Sequence, residues 1–139
     1  MLLTDAPRDI TIDHNTIVQG ASGGVVKVGH GVTTGLSLTG NIVSHGDYGI
    51  VGRNQRSGND TIRTYLPGAV ITRNVIAGGD ASAYPAGNRF PSLDELRRQF
   101  ADFAAHDYRL VPRSPWLTPD DHRPAGANLA RVPGEGRAP

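Results

Sequence analysis

The sequence predicts an all-β fold built as a solenoid of about three coils, followed by a short capping helix and an irregular tail. Three observations predict it. The stretches "ITIDHNTIVQG" (Ile10 to Gly20), "LSLTGNIVSHG" (Leu36 to Gly46) and "AVITRNVIAGG" (Ala69 to Gly79) fall into one register without a gap. Their central asparagines, Asn15, Asn41 and Asn74, stand 26 and then 33 residues apart, a repeat length that marks solenoids. The chain carries 18 glycines and 10 prolines in 139 residues, a load that suits short strands and turns better than a helical bundle.

Each element follows from this register. Ile12, Leu38 and Ile71 stand three residues before the asparagine, and Ile10, Leu36 and Ala69 five before. Polar or mixed residues alternate with them, the period of two expected of a strand with one buried face. Ile17, Val43 and Ile76 follow two after, and Gly20, Gly46 and Gly79 mark a turn five after. A second strand-like run, "GGVVKVG" in one copy and "YGIVG" in the next, completes each coil. Such a coil cannot bury its apolar face alone, so the coils must stack. At the bend between strands an asparagine amide can hydrogen-bond the equivalent amide one coil away, and asparagine tolerates the left-handed conformation a bend needs. Asn15, Asn41 and Asn74 are therefore expected to form a structural ladder.

Coil one is expected over 9–31, coil two over 32–52 and coil three over 68–90, with 53–67 a polar, non-repeating insertion. The coils make up residues 1–90, a cap 91–118 and an irregular, partly disordered tail 119–139. The stretch "PSLDELRRQFADFAA" predicts a helix. Ser92 and Glu95 form a capping box, and Leu93, Leu96, Phe100 and Phe103 make one apolar stripe. A parallel stack ends in open strand edges and an apolar layer, and this helix, with Trp116, is expected to cover the end of coil three. "DYRLV" adds an edge strand. The last residues, from Val132, are expected to lack order.

Composition excludes some functions. The formal charge is +1, and of the 14 basic residues only Lys27 is a lysine, the arginines being scattered. That argues against a nucleic-acid binder, which needs a clustered basic face. No cysteine is present, so there is neither a disulfide framework nor a thiolate metal site. The start, "MLLTDAPRD", has three apolar residues before polar ones, too few for an export signal or a membrane span.

The pattern I-x-I-x-x-N-x-I of Ile10 to Ile17, with its two echoes, resembles the coil signature of the right-handed parallel β-helix repeat proteins, the pectate-lyase-like solenoids. "NVIAGGDASAYPAGNRFP" followed by "HDYRLVPRSPW" is similar to the carboxy-terminal end of many bacterial members, where the last coil gives way to a cap. The resemblance covers roughly residues 8 to 130. It implies a right-handed parallel β-helix and a secreted or periplasmic parent protein; the chain itself gives no compartment. Members usually have many coils and an export signal, so this chain is expected to be a carboxy-terminal portion continuous with upstream coils.

Two rows of residues are candidates for chemistry. Asp47 and Asp80 both stand six residues after their asparagines, which would bring two carboxylates together on adjacent coils. Calcium, which takes several oxygen ligands, is the cofactor such a pair would hold; the other reading is a pair of solvated turn residues and no cofactor. Lys27 and Arg53 both stand twelve after theirs, with His30 and Arg56 three further on. The resemblance implies that polysaccharide-cleaving relatives bind sugar acids in the groove beside this strand. Lyase chemistry needs a base and a cation to stabilise the developing charge, roles that Lys27 and Arg53 would fill as catalytic residues. An exposed basic pair is more often a solvated face, which is the other reading. The five histidines show no metal-ligand spacing, and His14, His106 and His122 read as surface residues.

Three functions are compared. The chain is a structural, carbohydrate-associated solenoid end; or a lyase or glycosidase acting on acidic polysaccharide; or an adhesion module presenting residues 53–67 to a sugar or protein. An inverting glycosidase needs paired carboxylates ~6.5–9.5 Å apart, and no coil strand carries two. A sugar platform wants exposed aromatics, for which Tyr65 and Tyr84 are the loop candidates. The first reading is the expectation, with polysaccharide a partner and nucleic acid and membrane excluded.

Overall fold

The structure, a computed structural model, describes residues 1–117 and 123–129. His122 and the stretch from Val132, for which the sequence predicts a surface histidine and a tail without order, lie outside the described residues.

Chain order runs β1 (Leu2–Leu3), β2 (Thr11–Asp13), β3 (Thr16–Ile17), β4 (Val26–Val28), β5 (Ser37–Thr39), β6 (Ile42–Ser44) and β7 (Ile50–Gly52). Then come α1 (Asn59–Tyr65), β8 (Val70–Thr72), β9 (Val75–Ala77), a 3-10 turn (Ala81–Ala83), α2 (Leu93–Arg98), β10 (Phe100–Asp102) and β11 (Asp107–Leu110). The first nine strands form three parallel three-stranded sheets, β1-β4-β7, β2-β5-β8 and β3-β6-β9. Each strand pairs with the one three places on, so the chain visits the three sheets in turn and returns to the first. The chain is mostly strand with few helices, and this arrangement is compatible with a β-helix-like solenoid.

Register stacks like on like. Ile12 lies opposite Leu38 and Leu38 opposite Ile71. Ile17 lies opposite Val43, and Val43 opposite Ile76. These columns turn inward and join Val26, Val28, Leu36, Ile50, Leu66 and Tyr84 in the main core. Strands β6 and β9 do not alternate in burial. Ile42, Val75 and Ala77 point outward yet are buried, in a second cluster with Leu96, Phe100, Trp116 and Ala125. A sheet covered on both faces reads as a continuous apolar run, which is why "IVS" and "VIA" lack a polar face.

The bend between the first two strands of each coil puts its left-handed residue one place before the asparagine, at His14 (φ 52°), Gly40 (φ 64°) and Arg73 (φ 59°). The asparagine does not take that conformation itself, contrary to expectation. Gly40 is needed twice over, since a Cβ there would also meet the His14 ring at 2.7 Å.

Three further expectations are corrected. The helix begins as predicted, with Ser92 Oγ accepting from the Glu95 N–H (3.1 Å), but ends at Arg98. Phe100 begins a hairpin instead, β10 pairing antiparallel with β11. Helical spacing of Phe100 and Phe103 lost to tertiary packing. The hairpin brings Tyr108 against both rings, at centroid distances of 5.3 and 5.6 Å. The cap does not cover the end of coil three. It buttresses the flank, packing on the outward side chains of β6 and β9. Finally, the polar insertion 53–67 is not all loop. Its residues Asn59–Tyr65 form α1, which packs on β7; Leu66, just after the helix, is buried in the main core, and Ile62 and Tyr65 pack against it.

Candidate functional site

The asparagines stack into a polar ladder. Asn15 donates from its backbone N–H (2.8 Å) and Nδ2 (3.1 Å) to Asn41 Oδ1. Asn41 donates in the same way to Asn74 Oδ1 at 3.0 and 2.9 Å. A fourth rung follows, because Asn74 donates to Asn88 Oδ1 at 3.0 and 2.9 Å. Each later rung also reaches back one coil. Asn41 Nδ2 lies 2.9 Å from Ile12 O, Asn74 Nδ2 2.8 Å from Leu38 O and Asn88 Nδ2 2.9 Å from Ile71 O. Asn41 and Asn74 are fully buried, and these bonds meet the hydrogen-bonding needs of amides closed off from water. Asn15 is exposed, and no donor reaches its Oδ1 among the described residues.

Asn88 was missed in the sequence because it follows Asn74 by 14 residues, not 26 or 33. Two signals could have found it. Phe90 stands two after it, as Ile17, Val43 and Ile76 stand after their asparagines, and Gly87, with φ 85°, precedes it as Gly40 precedes Asn41.

At the coil-three end the edges of β7 and β9 are closed. In β7 the parallel alternation turns Ile50 and Gly52 away from β4. Ile50 O accepts from Gly58 N–H (2.7 Å), Gly52 N–H donates to Thr61 Oγ (2.9 Å) and Ile50 N–H to Tyr84 Oη (3.3 Å). Tyr84 is held in turn by His45. His45 Nδ1 lies 2.7 Å from Gly46 O, which can only accept, so Nδ1 donates. With Nδ1 as the donor, Nε2 accepts from the Tyr84 hydroxyl at 2.6 Å. Burial pushes the Tyr84 phenol up from its ordinary pKa, opposed by the Ile50 N–H. Beside β9, Ile76 N–H donates to Arg89 O (2.7 Å) and Gly78 N–H to Pro91 O (2.8 Å), so residues 89–91 run along its edge.

The coil-one end is different. Among the described residues β1, β2 and β3, like β7, β8 and β9, each have a neighbouring strand on one side only, but no backbone group of another segment bonds the outer edges of β2 and β3. Ile10, Ile12 and Ile17 are half-buried, and Leu2 is 65% exposed. Beside this edge, Asp13 Oδ1 accepts from Thr39 Oγ (2.6 Å) and lies 2.8 Å from His14 Nδ1. The Thr39 hydroxyl foremost, and His14 next, hold the Asp13 carboxyl below its usual value.

The proposed basic row is not a row. Lys27 lies opposite Val51, two residues before Arg53. Eleven residues separate Asn15 from Val26, but nine separate Asn41 from its partner Ile50, because the turn of coil one is two residues longer. Lys27 is exposed with its ammonium 5.3 Å from the centre of the Tyr48 ring, and Arg53 is exposed beyond β7. The Asp47 N–H donates to Ala21 O at 2.7 Å, and its side chain is exposed. Asp80 caps the 3-10 turn, its Oδ1 accepting from Ser82 N–H (2.9 Å) and Oγ (2.8 Å), which lowers its pKa. No three His, Cys, Asp or Glu side chains gather as a metal site among the described residues.

A groove of about 450 Å³ runs along the flank, between Val18, Gln19 and Ser44 of the stack and Leu93, Phe103 and Tyr108 of the buttress. No helix among the described residues is long and apolar enough to cross a membrane. No family model, curated protein or solved structure matches the chain.

Proposed function

We propose that the chain is the closing portion of a right-handed parallel β-helix, with a structural, carbohydrate-associated role and no catalysis of its own. The observation that carries this reading is the asymmetry of the two ends. The edges of β7 and β9 are closed by α1, Tyr84 and residues 89–91, while the edges of β2 and β3 stand open. A parallel stack with free edges templates aggregation, and a built seal at one end is what a terminating segment requires. The two-residue offset between Lys27 and Arg53 supports a non-catalytic role. The flank groove, walled by Phe103 and Tyr108, supports an association with carbohydrate, since aromatic rings and polar groups together suit sugar faces.

The seal is tested by the double variant Thr61→Val, Tyr84→Phe, which strips the acceptors from the Gly52 and Ile50 N–H groups. We expect a chain still folded by circular dichroism that self-associates with concentration in sedimentation. A variant that stays monomeric with unchanged stability contradicts the terminating role. Catalysis is tested on pectate and alginate, with and without calcium, following unsaturated products and reducing ends. No turnover is expected, and turnover lost in Lys27→Ala would promote the lyase reading.

A further inference from the structure

We propose that the flank groove is a binding site for an uncharged saccharide, read through the hydrogen-bonded pair His106–Tyr108 and the side-chain amide of Gln19. This rests on the carbohydrate-associated reading and names the site and the ligand chemistry. The ligand is a run of sugar units with adjacent hydroxyls, not the sugar acids that the lyase reading requires.

The groove, about 450 Å³, falls within the ~300–1,000 Å³ of small-molecule sites. One wall is apolar. Leu93 is 44% exposed there, beside the rings of Phe103 and Tyr108, which meet edge to face at a centroid distance of 5.6 Å. Such a wall packs against the C–H face of a sugar ring. Charge is nearly absent. Arg97 supplies the guanidinium of the lining, and its Nη1 lies 2.8 Å from Asp94 Oδ1, with the guanidinium carbon 5.8 Å from the centre of the Phe103 ring. That cation is already countered by a carboxylate. No Asp or Glu is among the described residues that line the groove. An ionised ligand would lose its water here without gaining an opposite charge.

The polar wall selects hydroxyls. His106 Nδ1 lies 2.9 Å from Tyr108 Oη, and the turn that joins β10 to β11 holds the pair, the His106 N–H donating to Phe103 O at 3.2 Å. The bond between them runs in one of two directions. Where the hydroxyl donates to Nδ1, the ring proton sits on Nε2, which is left as a donor with Oη as an acceptor. Where Nδ1 donates to Oη, Nε2 is left as an acceptor and the hydroxyl as a donor. Either way the pair offers one donor and one acceptor. Two neighbouring sugar hydroxyls, each able to donate and to accept, satisfy both directions. A carboxylate only accepts and an ammonium only donates, so each would leave one group unmet. On the stack side, Gln19 Nε2 donates to Ser44 O (3.0 Å) and the Gln19 N–H to Ser44 Oγ (2.8 Å). No donor reaches Gln19 Oε1 among the described residues, which leaves it as the acceptor for a third hydroxyl.

The test titrates the full chain by NMR with cellotetraose, mannotetraose and xylotetraose, and with tetragalacturonate as the acidic comparison. At least one uncharged tetrasaccharide is expected to bind saturably at millimolar concentration and to shift the backbone resonances of Gln19, Gly46 and Tyr108. Tetragalacturonate is expected to bind about tenfold or more weakly. Tyr108→Phe keeps the ring, removes the hydroxyl and should weaken the uncharged sugar about tenfold, the loss that one to two hydrogen bonds imply. His106→Ala, at an exposed position, should show a similar loss and decides the matter if Tyr108→Phe misfolds. Binding unchanged in both variants overturns the proposal. So does tighter binding of tetragalacturonate, or uncharged sugar mapped to the strand of Lys27; either leaves the carbohydrate-associated reading standing. A blocked apolar tetrapeptide that binds more tightly at the same residues would make the groove a peptide site and overturn the proposal. No binding of any saccharide overturns the proposal and the carbohydrate-associated reading together.

Discussion

At the coil-three end, the backbone groups that β7 turns away from its neighbour are met by Gly58, Thr61 and Tyr84, and Leu66 closes the apolar layer with no exposure. At the coil-one end, β2 and β3 turn the same kinds of groups outward with no strand beside them among the described residues, over isoleucines that are half-buried. The repeat is the same at both ends; the difference lies in what has been added to it. One seven-residue helix and one tyrosine turn an edge that would template aggregation into a finished surface. The asparagine ladder follows the same gradient, fully buried at Asn41 and Asn74 and exposed at Asn15.

Substitutions can break that comparison from either side. The largest effect is expected in the seal. Leu66→Ala should cost about 2–5 kcal/mol in urea unfolding, whereas Ile12→Ala, half-buried at the open end, should cost about 1 kcal/mol. Equal losses would mean the two ends are equally closed. The ladder should show the next contrast. Asn74→Ala leaves the buried Asn41 backbone N–H without an acceptor, while Asn41 Nδ2 keeps Ile12 O and Thr39 O, and should cost about 1–3 kcal/mol. Asn15→Ala keeps the backbone N–H bond to Asn41 Oδ1, removes only the Nδ2 donor at an edge that water reaches, and should cost about 1 kcal/mol or less.

Tyr84→Phe sharpens the comparison at about 1 kcal/mol near neutral pH, through the lost bonds to His45 and Ile50. It also has a pH signature. A phenol whose pKa is raised by burial contributes stability that is complete below its ordinary value of about 10 and is lost as pH rises through the folded value. The unaltered chain should therefore weaken above pH ~10 more steeply than Tyr84→Phe. Parallel alkaline limbs in the two proteins would contradict the buried position of the phenol. The smallest effect belongs to the open end. Asp13 has a lowered pKa, so its contribution is present above the ordinary carboxylate range and lost as pH falls through the folded value. At this solvent-reached edge it should amount to a few tenths of a kcal/mol. Thr39→Val should shrink it, and an unchanged acid limb would remove Thr39 from that account.

What the sequence showed, and what it hid, divides along the same line. The stacked columns Ile12–Leu38–Ile71 and Ile17–Val43–Ile76 were legible because a repeated register leaves a repeated pattern. The additions were not. In "RNQRSGNDTIRTYLP" the helix α1 carries few apolar residues, and its packing on β7 is a tertiary fact with no local period. Phe100 and Phe103 have helical spacing, yet they go to a hairpin because Tyr108 and Leu110 lie close enough in the chain to pair with them. The offset of Lys27 from Arg53 came from two extra residues in one turn, a shift that counting from the asparagine could not see. Asn88 escaped for the same reason: its coil is cut short, so the spacing fails while the bonding repeats.

Native-state hydrogen exchange tests the asymmetry most directly, because it reports closure amide by amide. The N–H groups of Asn41 and Ile50 are predicted to exchange only on global unfolding, the first donating to Asn74 Oδ1 and the second to Tyr84 Oη. Those of Thr11 and Thr16 should exchange on the order of a thousandfold faster in the isolated chain, since no strand lies beside them among the described residues. Protection that is uniform from coil one to coil three, or slowest at Thr11 and Thr16, would contradict a stack closed at one end and open at the other.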